Sequence, residues 1–173
     1  SWQEFYTHAK KTLADEERLM LAESIERCVL ERFDRDLLLD LPLLRGLPDE
    51  LKLRVCLLLQ WESQRIVLAD GEVLFKEDAM CGDMGYLLTG GQIQIAKSGR
   101  SPQVVNAPTV IGVMPEFNPE LRWTATAAAK GRAEVQRFPW LAFLRTLQSR
   151  LGPEEQRRFL AAIQANMPSH FVH

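Results

Sequence analysis

A chain of 173 residues that is 46% hydrophobic and 25% charged has the balance of a folded domain, which excludes wholesale disorder. Its formal net charge of −2 leaves no basic footprint for DNA, RNA or an anionic membrane surface. Apolar runs such as Leu57-Leu58-Leu59 fall far short of the roughly 20 residues of a membrane span.

The chain begins with Ser1 and shows no signal-peptide pattern, so the expectation is a cytoplasmic piece of a longer protein. Cys28, Cys56 and Cys81 are odd in number and far apart, which fits small buried thiols in a reducing compartment. His8, His170 and His173 sit near the chain ends with no C-x-x-C pairing, so no metal site is expected.

Residues 1–41 read as a helical extension. Trp2, Phe5 and Tyr6 anchor a short helix, and Thr12 or Asp15 caps the next. Its apolar positions Leu19, Met20, Ile25, Cys28, Val29 and Phe33 recur near helical spacing, with Glu23, Glu26, Arg27, Glu31 and Arg32 as a wet face. Pro42 ends a further turn over 37–41. Residues 42–173 then form the main domain. Pro48 sits where a first-turn proline belongs, and Leu47, Leu51, Val55, Leu58 and Leu59 form one stripe.

The chain is organised around residues 66–96. Runs at 64–68, 72–75, 86–88 and 92–96 are strand-like and are separated by Asp-Gly, Cys-Gly-Asp and Gly-Gly turns. Gln92-Ile93-Gln94-Ile95 alternates with a strict period of two. Further strands are expected at 103–105, 109–111, 122–129 and 132–138, with an irregular connection over 112–121 that holds Pro115 and Pro119. Asp70, Glu72, Glu77, Asp78 and Asp83 read as a hairpin rim. Pro139 opens a helix carrying Trp140, Phe143, Leu144 and Leu147, and Gly152-Pro153 breaks it. A last helix over 154–167 presents Phe159, Leu160, Ile163 and Met167. Helices, about eight short strands, then helices make the fold class α+β with an antiparallel eight-stranded β-roll.

The run ADGEVLFKEDAMCGDMGYLLTGGQIQIA resembles the first half of a cyclic nucleotide-binding domain. Residues 42–59 are similar to that family's leading helix, and Gly112 and Arg122-Trp123-Thr124-Ala125-Thr126 resemble the two ends of its phosphate-binding cassette. The resemblance implies a pocket that draws on Val73, Leu88, Gly112, Val113, Arg122, Trp123 and Thr124. It also implies a Gly-Glu pair for the ribose and an arginine at a short helix N-terminus for the cyclic phosphate. This sequence departs at both places. Val113 follows Gly112 and cannot accept a hydrogen bond, and Pro115 and Pro119 crowd the short helix. Aligned on the Thr-Ala pattern, the arginine position falls on Trp123, with Arg122 one place early and therefore on the opposite strand face; Arg122 reaches the pocket only if the longer Pro-containing loop shifts the register by one. Glu116, Lys130 and Arg132 are the substitutes at hand, each reading as a solvated loop residue.

No G-x-S-x-G, G-x-x-x-x-G-K-[ST] or H-E-x-x-H motif occurs. The resemblance therefore implies a non-catalytic regulatory domain, without cofactor, of an ion channel or transporter. Its pocket is degenerate, with cAMP or cGMP as a weak ligand at most, and its partners are the rest of its parent and neighbouring subunits. The alternatives are a working small-molecule sensor with an altered cassette and a scaffold module. In the regulatory reading the final helix packs on the roll through Phe159 and Ile163 and swings to signal.

Overall fold

The structure, a computed structural model, describes residues 39–112 and 120–166 together with Ala14, apart from the side chains of Gln60 and Trp61. The chain divides into two units, Ser1–Arg35 and Asp36–His173. The helices expected over 2–38 therefore lie outside the described residues, as do Val113, Pro115, Glu116, Pro119, Met167 and the three histidines.

A 3-10 turn at Pro42–Leu44 leads to α1, Asp49–Trp61. Asp49 and Glu50 occupy its first turn, where the helix dipole favours negative charge. Eight strands follow: β1 Gln64–Leu68, β2 Val73–Phe75, β3 Met84–Gly90, β4 Gln92–Ala96, β5 Gln103–Asn106, β6 Thr109–Ile111, β7 Thr126–Ala129 and β8 Ala133–Pro139. Helices α2, Trp140–Arg150, and α3, Pro153–Asn166, close the domain.

The strands form two four-stranded sheets, β1-β8-β3-β6 and β2-β7-β4-β5, in which the assigned strand pairs are antiparallel. Alternation along each strand sends one set of side chains inward, between the sheets, and the other outward. The inward set includes Leu68, Leu88, Ile93, Ile111, Ala127, Ala129, Ala133 and Val135. Two of the alanines that argue against strand propensity in β7, Ala127 and Ala129, are therefore small inner-face residues, at 0% and 4% exposure.

Part of the outward face of the first sheet is buried too, where the helices cover it. Leu87 and Phe138 are fully buried there. Phe138 meets Trp140 and Phe143 edge-on, with centroids at 4.8 and 5.8 Å, and Phe143 meets Phe159 of α3 at 6.1 Å. Phe159 shares an apolar cavity with Val55, Cys56, Val110 and Phe138, which places the last helix against the roll, and Ile163 is buried as well. Asn166 Nδ2 ties the end of α3 to the Arg45 carbonyl at 2.8 Å. Gly85 makes room for this packing: a Cβ there would lie 2.6 Å from Phe138 Cζ and 2.7 Å from Trp140 Nε1. Burial pushes the Cys56 thiol up to about 12, against a weaker pull from Lys52.

Two expected strands come out shorter. Glu72 is not in β2, because its carboxylate accepts the Ala69 N–H at 2.9 Å and closes the preceding turn. The strand expected over 122–129 starts only at Thr126; Arg122 makes an isolated bridge with Met80 instead. Leu121, at φ 49°, bends the backbone out of extended form just before it.

Candidate functional site

The inner face of the roll ends near Gly112, where β6 stops, and the chain returns through Leu121–Trp123 to β7. This return is clipped to residues 78–81. Asp78 N–H donates to the Trp123 carbonyl at 2.8 Å, Trp123 N–H to Ala79 O at 2.9 Å, and Cys81 N–H to Leu121 O at 2.8 Å. Asp78, at φ 64°, is likewise a non-glycine residue in left-handed backbone. Each such residue costs on the order of 1–3 kcal/mol and persists where its surroundings over-determine it. The three hydrogen bonds do that here.

The clip aims Trp123 into the roll. Its ring, 8% exposed, stacks on Phe75 with centroids 3.8 Å apart and planes within 12°. Tyr86 lies 5.8 Å from Trp123 and 5.7 Å from Phe75. Phe75 reaches this position because the β2–β7 register shifts between Val73 and Phe75. Without that irregularity Phe75 would share the outer face with Val73. Gly112 sits against the same indole at φ 98°, and a Cβ there would lie 3.1 Å from Trp123 Cζ3. A glycine satisfies both the backbone angle and the close approach.

Of the residues named from the sequence, Leu88, Gly112 and Trp123 come together inside the roll. Val73 does not join them: paired with Ala128 on the outer face, it is 44% exposed. Thr124 is exposed. Arg122 points out of the roll, and its Nη1 donates to the Asp78 carbonyl at 2.6 Å. Arg122 and Trp123 thus take opposite sides, with the indole inside.

The rim carboxylates are mostly committed to backbone. Asp70 accepts the Gly131 N–H at 2.6 Å, Glu77 accepts from both N and Oγ of Ser98, and Asp83 accepts the Leu141 N–H at 3.3 Å. Lys130 and Arg132 are exposed in the β7–β8 turn, and Arg132 lies 3.7 Å from Glu134. Among the described residues no group of three or more His, Cys, Asp or Glu could hold a metal ion.

Two site residues were missed in the sequence. Phe75 is hidden by the irregular register. Arg137 is the cross-strand partner of Tyr86, and Nε donates to Met84 Sδ at 3.4 Å. Its signal was the period of two that places it on the face of Ala133 and Val135.

Comparison with known proteins places this architecture. No family model matches the sequence, and no curated protein does. Solved structures match over most of the chain. It is similar to the sensor domain of the transcriptional regulator DNR from Pseudomonas aeruginosa, at 20% identity and a TM-score of 0.59, covering 82% of this chain and 87% of that one. It is similar to the N-terminal domain of a transcriptional regulator from Streptomyces coelicolor, at 24% and 0.55, covering 76% and 90%. It also matches the regulatory domain of Toxoplasma gondii PKA solved with cAMP, at 19% and 0.54, covering 78% of this chain and 49% of that one. The fold is the cyclic nucleotide-binding roll. At these identities the likeness is one of fold. Among the described residues no helix is long and apolar enough to cross a membrane.

Proposed function

We propose that this chain is a non-catalytic regulatory domain of a larger protein, a roll whose nucleotide pocket is closed by its own Trp123. One observation carries this reading. The position that the resemblance assigns to the phosphate-binding arginine holds an indole stacked on Phe75 and packed against Gly112, while Arg122 is bonded outside to Asp78.

A cyclic nucleotide would have to displace that ring and then find neither the cassette arginine nor, with Val113 after Gly112, a carboxylate for the ribose. A charged hydrogen bond contributes about 1.5–3 kcal/mol, and about 1.4 kcal/mol is a tenfold change in affinity. Losing two such bonds takes a micromolar binder out of a useful range. cAMP and cGMP are therefore weak ligands or none.

The regulatory neighbours support a signalling role. Transcriptional regulators and a kinase regulatory domain favour a parent of those kinds over the ion channel or transporter that the resemblance implies. In either parent the signal passes through α3, which Phe159 and Asn166 hold against the domain.

Calorimetric titration with cAMP and with cGMP tests the reading. The expected outcome is no saturable heat, or only weak binding. Sub-micromolar affinity for either nucleotide overturns it.

A further inference from the structure

The geometry points to an anion-binding site at the open end of the roll, built by Gln64, Tyr86 and Arg137, for a small organic carboxylate or phosphate. It goes beyond the closed-cassette reading, because none of the three residues belongs to the cassette.

The register sets the three side by side. Gln64 and Tyr86 both pair with Arg137, from β1 and β3 on either side of β8, and Tyr86 also pairs with Ile111 of β6. Directly opposed residues point to the same face, with Cβ atoms about 4.5–5.5 Å apart. The next row inward is Ile66, Val135 and Leu88, which belong to the inner core or pack against it. The row of Gln64, Arg137 and Tyr86 is thus where the apolar lining gives way to hydrogen-bonding groups.

Those groups are uncommitted. The Arg137 hydrogen bond is to the thioether of Met84, a weak acceptor, and no carboxylate of a described residue lies within ion-pair distance of it. Among the described residues neither the Gln64 amide nor the Tyr86 hydroxyl has a hydrogen-bond partner. This contrasts with Arg65 one residue along β1, which pairs with Glu134 at 2.8 Å on the opposite face. The guanidinium and the phenol are also close enough to interact. Burial raises the Tyr86 hydroxyl, Arg137 pulls it back down, and Cys81 pushes it up.

A guanidinium presents a planar fork that fits a carboxylate or phosphate edge. With the Tyr86 hydroxyl and Gln64 amide as flanking donors, the row has one cation and no described anion. Behind it stand the rings of Tyr86, Trp123 and Phe75, which suit a ligand with an apolar or aromatic body.

The test uses phenyl phosphate, benzoate and inorganic phosphate as probes on the whole chain, followed by amide chemical shifts. Saturable shifts centred on Gln64, Tyr86 and Arg137 are expected with at least one aromatic anion. Binding should fall at least tenfold in Arg137→Gln, fall a few-fold in Tyr86→Phe, and stay unchanged in Arg122→Gln. The stronger of phenyl phosphate and benzoate identifies the head group, and a weaker response to inorganic phosphate shows that the body contributes. Near-ultraviolet circular dichroism confirms that the variants are folded. Undiminished binding in Arg137→Gln, or no saturable shift with any probe, overturns the site. Tight cAMP binding lost in Arg122→Gln would instead overturn the closed-cassette reading and leave this one standing.

Discussion

The two faces of the first sheet have different fates within one residue of each other. Phe138 points outward and is fully buried under the helices, while Arg137 points inward and is exposed at the mouth of the roll. On β3 the outward Leu87 is fully buried, whereas the inward Tyr86 is 8% exposed and pairs with the exposed Arg137. The lesson is that outward here means structural core where the helices lie, although Arg65 and Val67 beyond them are exposed. Inward means core only at depth, and becomes a candidate surface where the strand runs out.

Substitution across this pair gives the largest contrast. Phe138→Ala should cost about 3–5 kcal/mol in chemical denaturation, the range for emptying a buried aromatic site. Arg137→Gln next to it should stay within about 0.5 kcal/mol of the parent, as surface changes do. Equal effects would erase the distinction between the faces.

Gly85→Ala probes the same boundary from β3. The added methyl has no room beside Phe138 Cζ and Trp140 Nε1, so a loss of about 1–3 kcal/mol is expected, the usual cost of overpacking. An unchanged denaturation midpoint would mean that the rings under the helices can move aside.

The inner face of the roll was the more legible part in its first half. Gln92–Ala96 and Gln64–Leu68 follow their sequence runs, because turns and alternation mark them locally. In β7, Thr126–Ala129, the alanines carry no propensity signal, and neighbouring strands decide the assignment. The cassette was legible only as an alternative, since a single residue of register separates an inward Arg122 from an inward Trp123. The clip between Asp78 and Trp123 resolves it, and that clip is a contact between segments about 45 residues apart. Alternation cannot foresee the irregular register that turns Phe75, and not Val73, toward the inner face. Arg137 belongs to no motif, and only the cross-strand register sets it beside Tyr86.

The helix-covered side makes a smaller prediction about pH. A thiol with its folded pKa raised from 9.0 to about 12 favours the folded state while protonated. That contribution is whole below about pH 9, where both states keep the proton, and is lost as pH rises towards 12 because the unfolded thiol ionises first. Measured against Cys56→Ala, the parent should lose stability more steeply across this alkaline window. Parallel pH profiles for the two would show that the thiol is not buried when folded.

The central claim is that the roll binds its own ring. It is tested most directly by nuclear Overhauser contacts between the Trp123 indole and the Phe75 ring, recorded with and without excess cAMP. The account requires strong contacts in both spectra. Contacts that are strong alone and vanish with nucleotide, as Trp123 leaves and cAMP enters, would contradict it.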